Sequence, residues 1–151
     1  MIKEEYLKLD YQVCFKLYVA SKEIIRKYTP LLEKLDLTYT QYITMLALWE
    51  KDQISVKELG EKLYLDSGTL TPLLNKLKSK GLIDKTKQEK DGRELILSLT
   101  KKGIELKEKA LDIPEAIAGC VKLEKDEAIE FFGLLNKVLQ GFYEKTQYRY
   151  I

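Results

Sequence analysis

The chain has 151 residues, of which 45% are hydrophobic and 33% charged, with a formal net charge of +2. That size and balance fit one compact folded domain, or one domain with helical arms, and exclude a disordered chain. There is no histidine, and Cys14 and Cys120 are the only cysteines, which excludes a secreted disulfide scaffold, a Ser-His-Asp triad, a Cys-His dyad and any histidine-based zinc site within one chain.

The opening MIKEEYLKLD is acidic and mixed, unlike a signal peptide, and no apolar run approaches the ~20 residues of a membrane helix. A cytoplasmic protein without membrane contact is therefore expected. A first long helix is expected from about Tyr6 to Lys27, followed by a break at Pro30 and a short turn or second helix in YTPLLEKLDL. TYTQYITMLALWEKD reads as an apolar helix with Thr38 or Thr40 as N-cap.

Ser55 can cap a helix that places Val56, Leu59 and Leu63 on one face. Asp66 can cap the next, with Leu70, Leu73, Leu74 and Leu77 inward and Gly81 as a stop. Pro72 lies near enough to the start of that helix for its cost to be small. Two such helices form a helix-turn-helix. The second leaves Ser67, Thr69, Thr71, Asn75 and Lys76 outward, side chains of the kind that read base edges and phosphates in a major groove. An ordinary amphipathic surface helix would show the same pattern.

LIDKTKQEKDGRELILSLT then reads as two strands around the tight-turn dipeptide Asp91-Gly92, with Leu82, Ile83, Leu95, Ile96, Leu97 and Leu99 as their apolar residues. The helix-turn-helix and this hairpin together make a winged helix. At the wing tip Arg93 can enter a minor groove, oriented by Asp91, although tip charges also serve solubility. From Lys76 to Lys102, nine basic residues face four acidic ones, a local excess of five positive charges that suits a phosphate backbone or a solvated lysine-rich face. A further long helix capped by Thr100 is expected through LTKKGIELKEKALDIPEAIAGC. A last helix carries the apolar stripe Phe131, Leu134, Leu135, Val138, Phe142 and Tyr143. With the N-terminal helix, this stripe calls for a dimer interface or for packing within the chain.

The fold expected is thus mainly α with a small β-wing: a winged helix-turn-helix at about residues 38–99, flanked by long terminal dimerisation helices at about 1–36 and 100–151, all in one domain. In the segments QVCFKLYVASKEIIRKYTPLLEKLDLTYTQY, LGEKLYLDSGTLTPLLNKLKSKGLI and DGRELILSLTKKG the sequence resembles the MarR family of repressors, and most of all its organic-hydroperoxide-sensing branch. The resemblance spans essentially the whole chain.

It implies a homodimer on a near-palindromic double-stranded DNA operator, with an organic hydroperoxide as inducer. It also implies a redox-sensing thiol at Cys14, supported across the dimer by Tyr18, Tyr28 and Tyr39. The reading helix falls on Ser67 to Lys76 and the wing pair on Asp91 and Arg93. Cys120 is a possible resolving thiol for an intersubunit disulfide, a role some members of the branch give to a second cysteine, and packing explains it equally well.

The residues themselves allow this chemistry. Tyr11, Cys14, Tyr18, Ser21, Ile25 and Tyr28 recur every three or four positions, one stripe of a helix. A thiolate there can accept hydrogen bonds from tyrosine hydroxyls, and Cys14 can equally be a small packed hydrophobe. No cofactor, metal ligand or catalytic group is expected, and a thiol peroxidase is the enzymatic alternative. Within transcription the alternatives are release by a small phenolic or drug-like ligand, and a wider oxidative-stress or virulence regulator using the same cysteine.

Overall fold

The computed structural model describes residues 3–88 and 94–143. It divides into two compact units, Met1–Ala118 and Gly119–Ile151. Among the described residues the first unit carries α1 (Val13–Glu33), α2 (Tyr39–Glu50), β1 (Ile54–Ser55), α3 (Val56–Leu63), α4 (Ser67–Ser79), β2 (Ile83–Lys87), β3 (Leu95–Leu99), α5 (Lys101–Ala110) and α6 (Ile113–Ala118). The second carries α7 (Lys125–Tyr143). The architecture is mainly α with a small antiparallel sheet of order β1-β3-β2. No described helix is long and apolar enough to cross a membrane.

Local chemistry sets most helix starts as expected. Thr38, not Thr40, caps α2 through a full capping box with Gln41. Ser55 accepts from the Glu58 N–H at 3.0 Å, Asp66 from the Thr69 N–H at 2.8 Å and Thr100 from the Gly103 N–H at 3.1 Å. Gly81 stops α4 with a φ of +72°, a conformation that glycine adopts without steric cost.

The α4 cap is held by charge. The Thr69 N–H, and after it the Thr69 hydroxyl, keep the Asp66 carboxyl below the usual carboxylate range. A depressed carboxyl adds stability above its unfolded value and loses it as pH falls through the folded one. Asp66→Ala is therefore expected to destabilise the protein at neutral pH, and the gap from wild type should narrow below about pH 4. Denaturant titrations at several pH values check this; a gap independent of pH would contradict it.

Three expectations need correction. The first helix begins at Val13, not Tyr6, because Gln12 is extended (φ −89°, ψ 99°) and follows two short 3-10 turns, Lys3–Leu7 and Leu9–Tyr11. Tyr11 therefore leaves the stripe that Cys14 begins. The helix then passes through Pro30 to Glu33 instead of breaking there. Proline lacks one N–H, but Leu32 beyond it is 1% exposed, and its burial offsets the missing bond. Lastly, the helix after the wing is two helices, split at Leu111–Asp112 with Pro114 second in α6, where a proline's absent N–H costs little.

The core gathers on α2, whose Tyr42, Met45 and Leu48 are all at or below 2% exposure. Leu59 from α3, the four inward leucines of α4, Ile83 and Leu97 from the sheet, and Ile113 and Ile117 from α6 close around it. Strand β3 pairs with β2 from Ile83↔Leu99 to Lys87↔Leu95. It also pairs with the two-residue β1, which is too short to show alternation in the sequence. Asp52 ties the end of α2 to this sheet, its Oδ1 accepting from the Leu99 N–H at 2.9 Å.

Candidate nucleic-acid interface and thiol site

α3 and α4 are built as a helix-turn-helix requires. α3 ends at Tyr64, whose φ of +55° turns the chain sharply into the Asp66 cap. In α4, Leu70, Leu73, Leu74 and Leu77 are buried, while Ser67, Thr69, Thr71, Asn75 and Lys76 are all exposed on the opposite side. The structure brings these five together on one solvent face. It also shows how several are held: Thr71 Oγ1 donates to the Ser67 carbonyl at 2.8 Å, and the Thr69 hydroxyl is bonded to Asp66.

Asn75 Oδ1 accepts from Lys85 Nζ at 2.6 Å, which leaves the Asn75 amide nitrogen as the group facing outward. Lys85 belongs to β2, so the wing and α4 are joined by this bond. Its place in the basic segment was visible in the sequence, but its partner was not. The hairpin base closes with the Gln88 N–H donating to the Glu94 carbonyl at 3.1 Å. The wing-tip pair Asp91 and Arg93 lies outside the described residues.

Cys14 is a free, exposed thiol, the second residue of the 21-residue helix α1. The first N–H groups of a helix have no acceptors within it and form its positive pole, a place that favours anions. Tyr18, one turn on, is exposed, with the Lys22 ammonium 5.6 Å from its ring centre.

Tyr28 and Tyr39 do come together, ring centres 5.0 Å apart and tilted by 58°. A third ring joins them: Tyr42, 5.7 Å from Tyr28. No local pattern marks Tyr42 in the sequence, because its position on α2 reads as plain core. Burial, and after it the neighbouring phenols, push Tyr28 and Tyr42 above the usual phenol range, so both stay protonated donors at neutral pH.

These tyrosines are not beside Cys14 of the same chain. Tyr28 lies fourteen residues along α1, about 21 Å at 1.5 Å per residue. Cys120 sits in the turn that follows α6, not at a helical position as the sequence suggested, and is exposed. A separate cleft of about 280 Å³ lies between α2 and α5–α6, lined by Tyr42, Leu46, Trp49, Lys107, Leu111 and Pro114, among others.

Residues 26–110 match the family described as Transcriptional regulator SarA/Rot. The chain is 44% identical over 144 residues to the organic hydroperoxide resistance transcriptional regulator of Bacillus subtilis, covering 95% of this chain and 98% of that one. Among solved structures it is similar to reduced AbfR of Staphylococcus epidermidis bound to DNA, at 34% identity and a TM-score of 0.78 over 95% and 100% of the two chains. It is similar also to overoxidized AbfR bound to DNA, at 33% identity and a TM-score of 0.77 over 93% and 99%.

Proposed function

The chain belongs to the SarA/Rot family of MarR-type winged-helix transcriptional regulators, and from that membership we propose that it is a repressor released from its operator when a peroxide oxidises Cys14. The observation that carries this reading is the free, exposed Cys14 thiol at the head of α1, in a chain whose α4 exposes Ser67, Thr69, Thr71, Asn75 and Lys76. The similarity to a hydroperoxide-resistance regulator and to DNA-bound relatives supports it.

The working form is a homodimer on a near-palindromic operator. Val13, Phe15, Leu17 and Tyr18 of α1 are exposed, as are Phe132, Leu134 and Phe142 of α7, apolar surface of the kind a second copy covers. Pairing also answers the distance problem at the thiol: Tyr28 and Tyr39 of one chain serve Cys14 of the other, and Tyr18 lies on the thiol's own helix. Each α4 enters a major groove. Ser67, Thr69, Thr71 and Asn75 face the bases, Lys76 and Lys85 face phosphates, and Asp91 and Arg93 serve the wing. Such a regulator works where the DNA is, in the cytoplasm.

In the chemical step the Cys14 thiolate attacks the terminal oxygen of an organic hydroperoxide. The O–O bond breaks, an alcohol leaves, and Cys14 becomes a sulfenic acid. A second thiol then displaces that oxygen as water and closes a disulfide. A relative has been solved on DNA in an overoxidized form, which favours assigning release to the bulkier disulfide step. The second thiol is a small cellular thiol or Cys120. One oxidation per thiol, without turnover, makes this a sensor and not a peroxidase.

The test is a gel-shift on a duplex that the reduced chain selects from a randomised pool, titrated with cumene hydroperoxide, with and without free cysteine. Stoichiometric release supports the reading; sustained binding after Cys14 is shown by mass spectrometry to be modified, in both arms, sinks it. The cleft by Trp49 and Lys107 favours a second reading, release by a small aromatic ligand. Release that needs no thiol would select it.

The same duplex tests the phosphate contact. Lys76→Ala should weaken binding to selected and unrelated sequences alike, and lower the slope of log affinity against log salt by about one. An effect confined to the selected sequence would make Lys76 a base reader instead.

A further inference from the structure

Lys80 is the C-cap residue of α4, a place where lysine is usually solvated, yet its side chain is only 26% exposed. Its ammonium reaches back to the corner between α1 and α2. There it donates to the Asp36 carbonyl oxygen and to Gln41 Oε1 at 3.1 Å, and lies 3.3 Å from Asp36 Oδ2. Gln41 is buried, and the same Oε1 accepts the Thr38 N–H at 3.2 Å in the α2 capping box. Asp36 holds a φ of +53°, so the corner is a fixed bend in a region that residues other than glycine seldom occupy.

The other side of the α4 terminus is gripped by the start of α5. Lys102 Nζ donates to the Lys80 carbonyl at 2.8 Å, and Thr100 Oγ1 donates to the Gly81 carbonyl. The corner leads directly into Tyr39, three residues after Asp36, whose ring meets that of Tyr28 in a tilted contact. One side chain thus links the tyrosine pair to the end of the reading helix.

We propose that Lys80 is a positioning residue that transmits a displacement of the α1–α2 corner to α4. This rests on the redox-release reading above. Apolar packing between helices is non-directional. Three oxygens around one ammonium fix both distance and direction. Asp36 is 87% exposed, so the ion pair itself adds little stability, and its geometry is what the fold gains.

The test compares wild type, Lys80→Met and Lys80→Arg on the selected duplex, reduced and after cumene hydroperoxide with free cysteine, with melting temperatures recorded. Wild type is expected to weaken by roughly a hundredfold on oxidation, near the upper end of ordinary allosteric coupling. Lys80→Met should bind within about threefold of wild type when reduced but lose at least tenfold of that oxidation ratio, and Lys80→Arg should restore most of it. Should Lys80→Met not fold, Lys80→Gln takes its place. An oxidation ratio equal to wild type in the methionine or glutamine variant overturns the proposal alone. A wild type that is not released by oxidant overturns the redox reading, and this inference with it.

Discussion

Cys14→Ser is expected to hold its operator at hydroperoxide concentrations that release wild type. The substitution replaces sulfur with a smaller oxygen at an exposed position, so folding should change by no more than about 0.5 kcal/mol. Affinity of the reduced protein should likewise stay near wild type, because Cys14 is on α1 and the proposed groove-facing residues are on α4. A serine hydroxyl cannot form a sulfenic acid or a disulfide under these conditions.

The roughly hundredfold weakening expected of wild type, about 2.7 kcal/mol of coupling, should therefore fall to less than twofold. Gel-shift and fluorescence anisotropy on the same duplex measure it. The companion Cys120→Ser separates the two possible thiol partners. If Cys120 closes the disulfide, this variant needs added cysteine for release; if a small thiol does so, it behaves as wild type. Full release of Cys14→Ser by oxidant would exclude the mechanism.

Among the glycines Gly60, Gly68, Gly81, Gly103, Gly133 and Gly141, Gly103 should be the least tolerant of an added methyl group (Gly103→Ala). A Cβ at this position would stand 2.1 Å from the Leu82 carbonyl oxygen and 3.3 Å from a Leu99 methyl. The obstacle is backbone on one side, so no rotamer change relieves it. Three bonds would shift together: the Gly103 N–H to the Thr100 hydroxyl, the Thr100 N–H to the Leu82 carbonyl at 3.1 Å, and the Trp49 indole N–H to the Gly103 carbonyl at 2.9 Å.

A cost of about 2–4 kcal/mol follows from forced overpacking of this kind, which for a chain of this size lowers Tm by roughly 5–15 °C. Thermal unfolding followed by Trp49 fluorescence is a direct measure, since the indole belongs to the disturbed contact. A melting temperature within a degree or two of wild type would mean that α5 can retreat from β2 without penalty.

The parts of this fold that could be read in the sequence are those that local chemistry decides. Ser55, Asp66 and Thr100 cap helices because their oxygens sit three residues before an unpaired N–H. The α4 leucines repeat at helical spacing, and the apolar residues Ile83, Leu95, Leu97 and Leu99 mark two strands that pair. What was not legible was decided at a distance. The start of α1 carries no cap signal, for Gln12 makes no side-chain cap bond and the apolar rhythm runs on across the break. Pro30 reads as a stop until the burial of Leu32 is known. Asn75 reads as a free base reader until Lys85 is seen on its carbonyl oxygen. Lys80 reads as one more surface lysine, because its oxygen partners lie 39 and 44 positions earlier. The thiol and the tyrosines proposed for it came from a family likeness, and the tilted contacts of Tyr28 with Tyr39 and Tyr42 had no local trace.

That Cys14 and Tyr28 stand about 21 Å apart on α1, with Tyr39 of α2 beside Tyr28, has a consequence for how such a detector responds. On the proposed assignment, neither half serves its own molecule. A solitary copy, on that assignment, carries its sulfur at one end of α1 and, roughly two nanometres along, phenols that serve another copy's. Responsiveness would then rise with the abundance of the regulator itself, steeply where pairing begins, and a cell short of it would lose repression and alarm together.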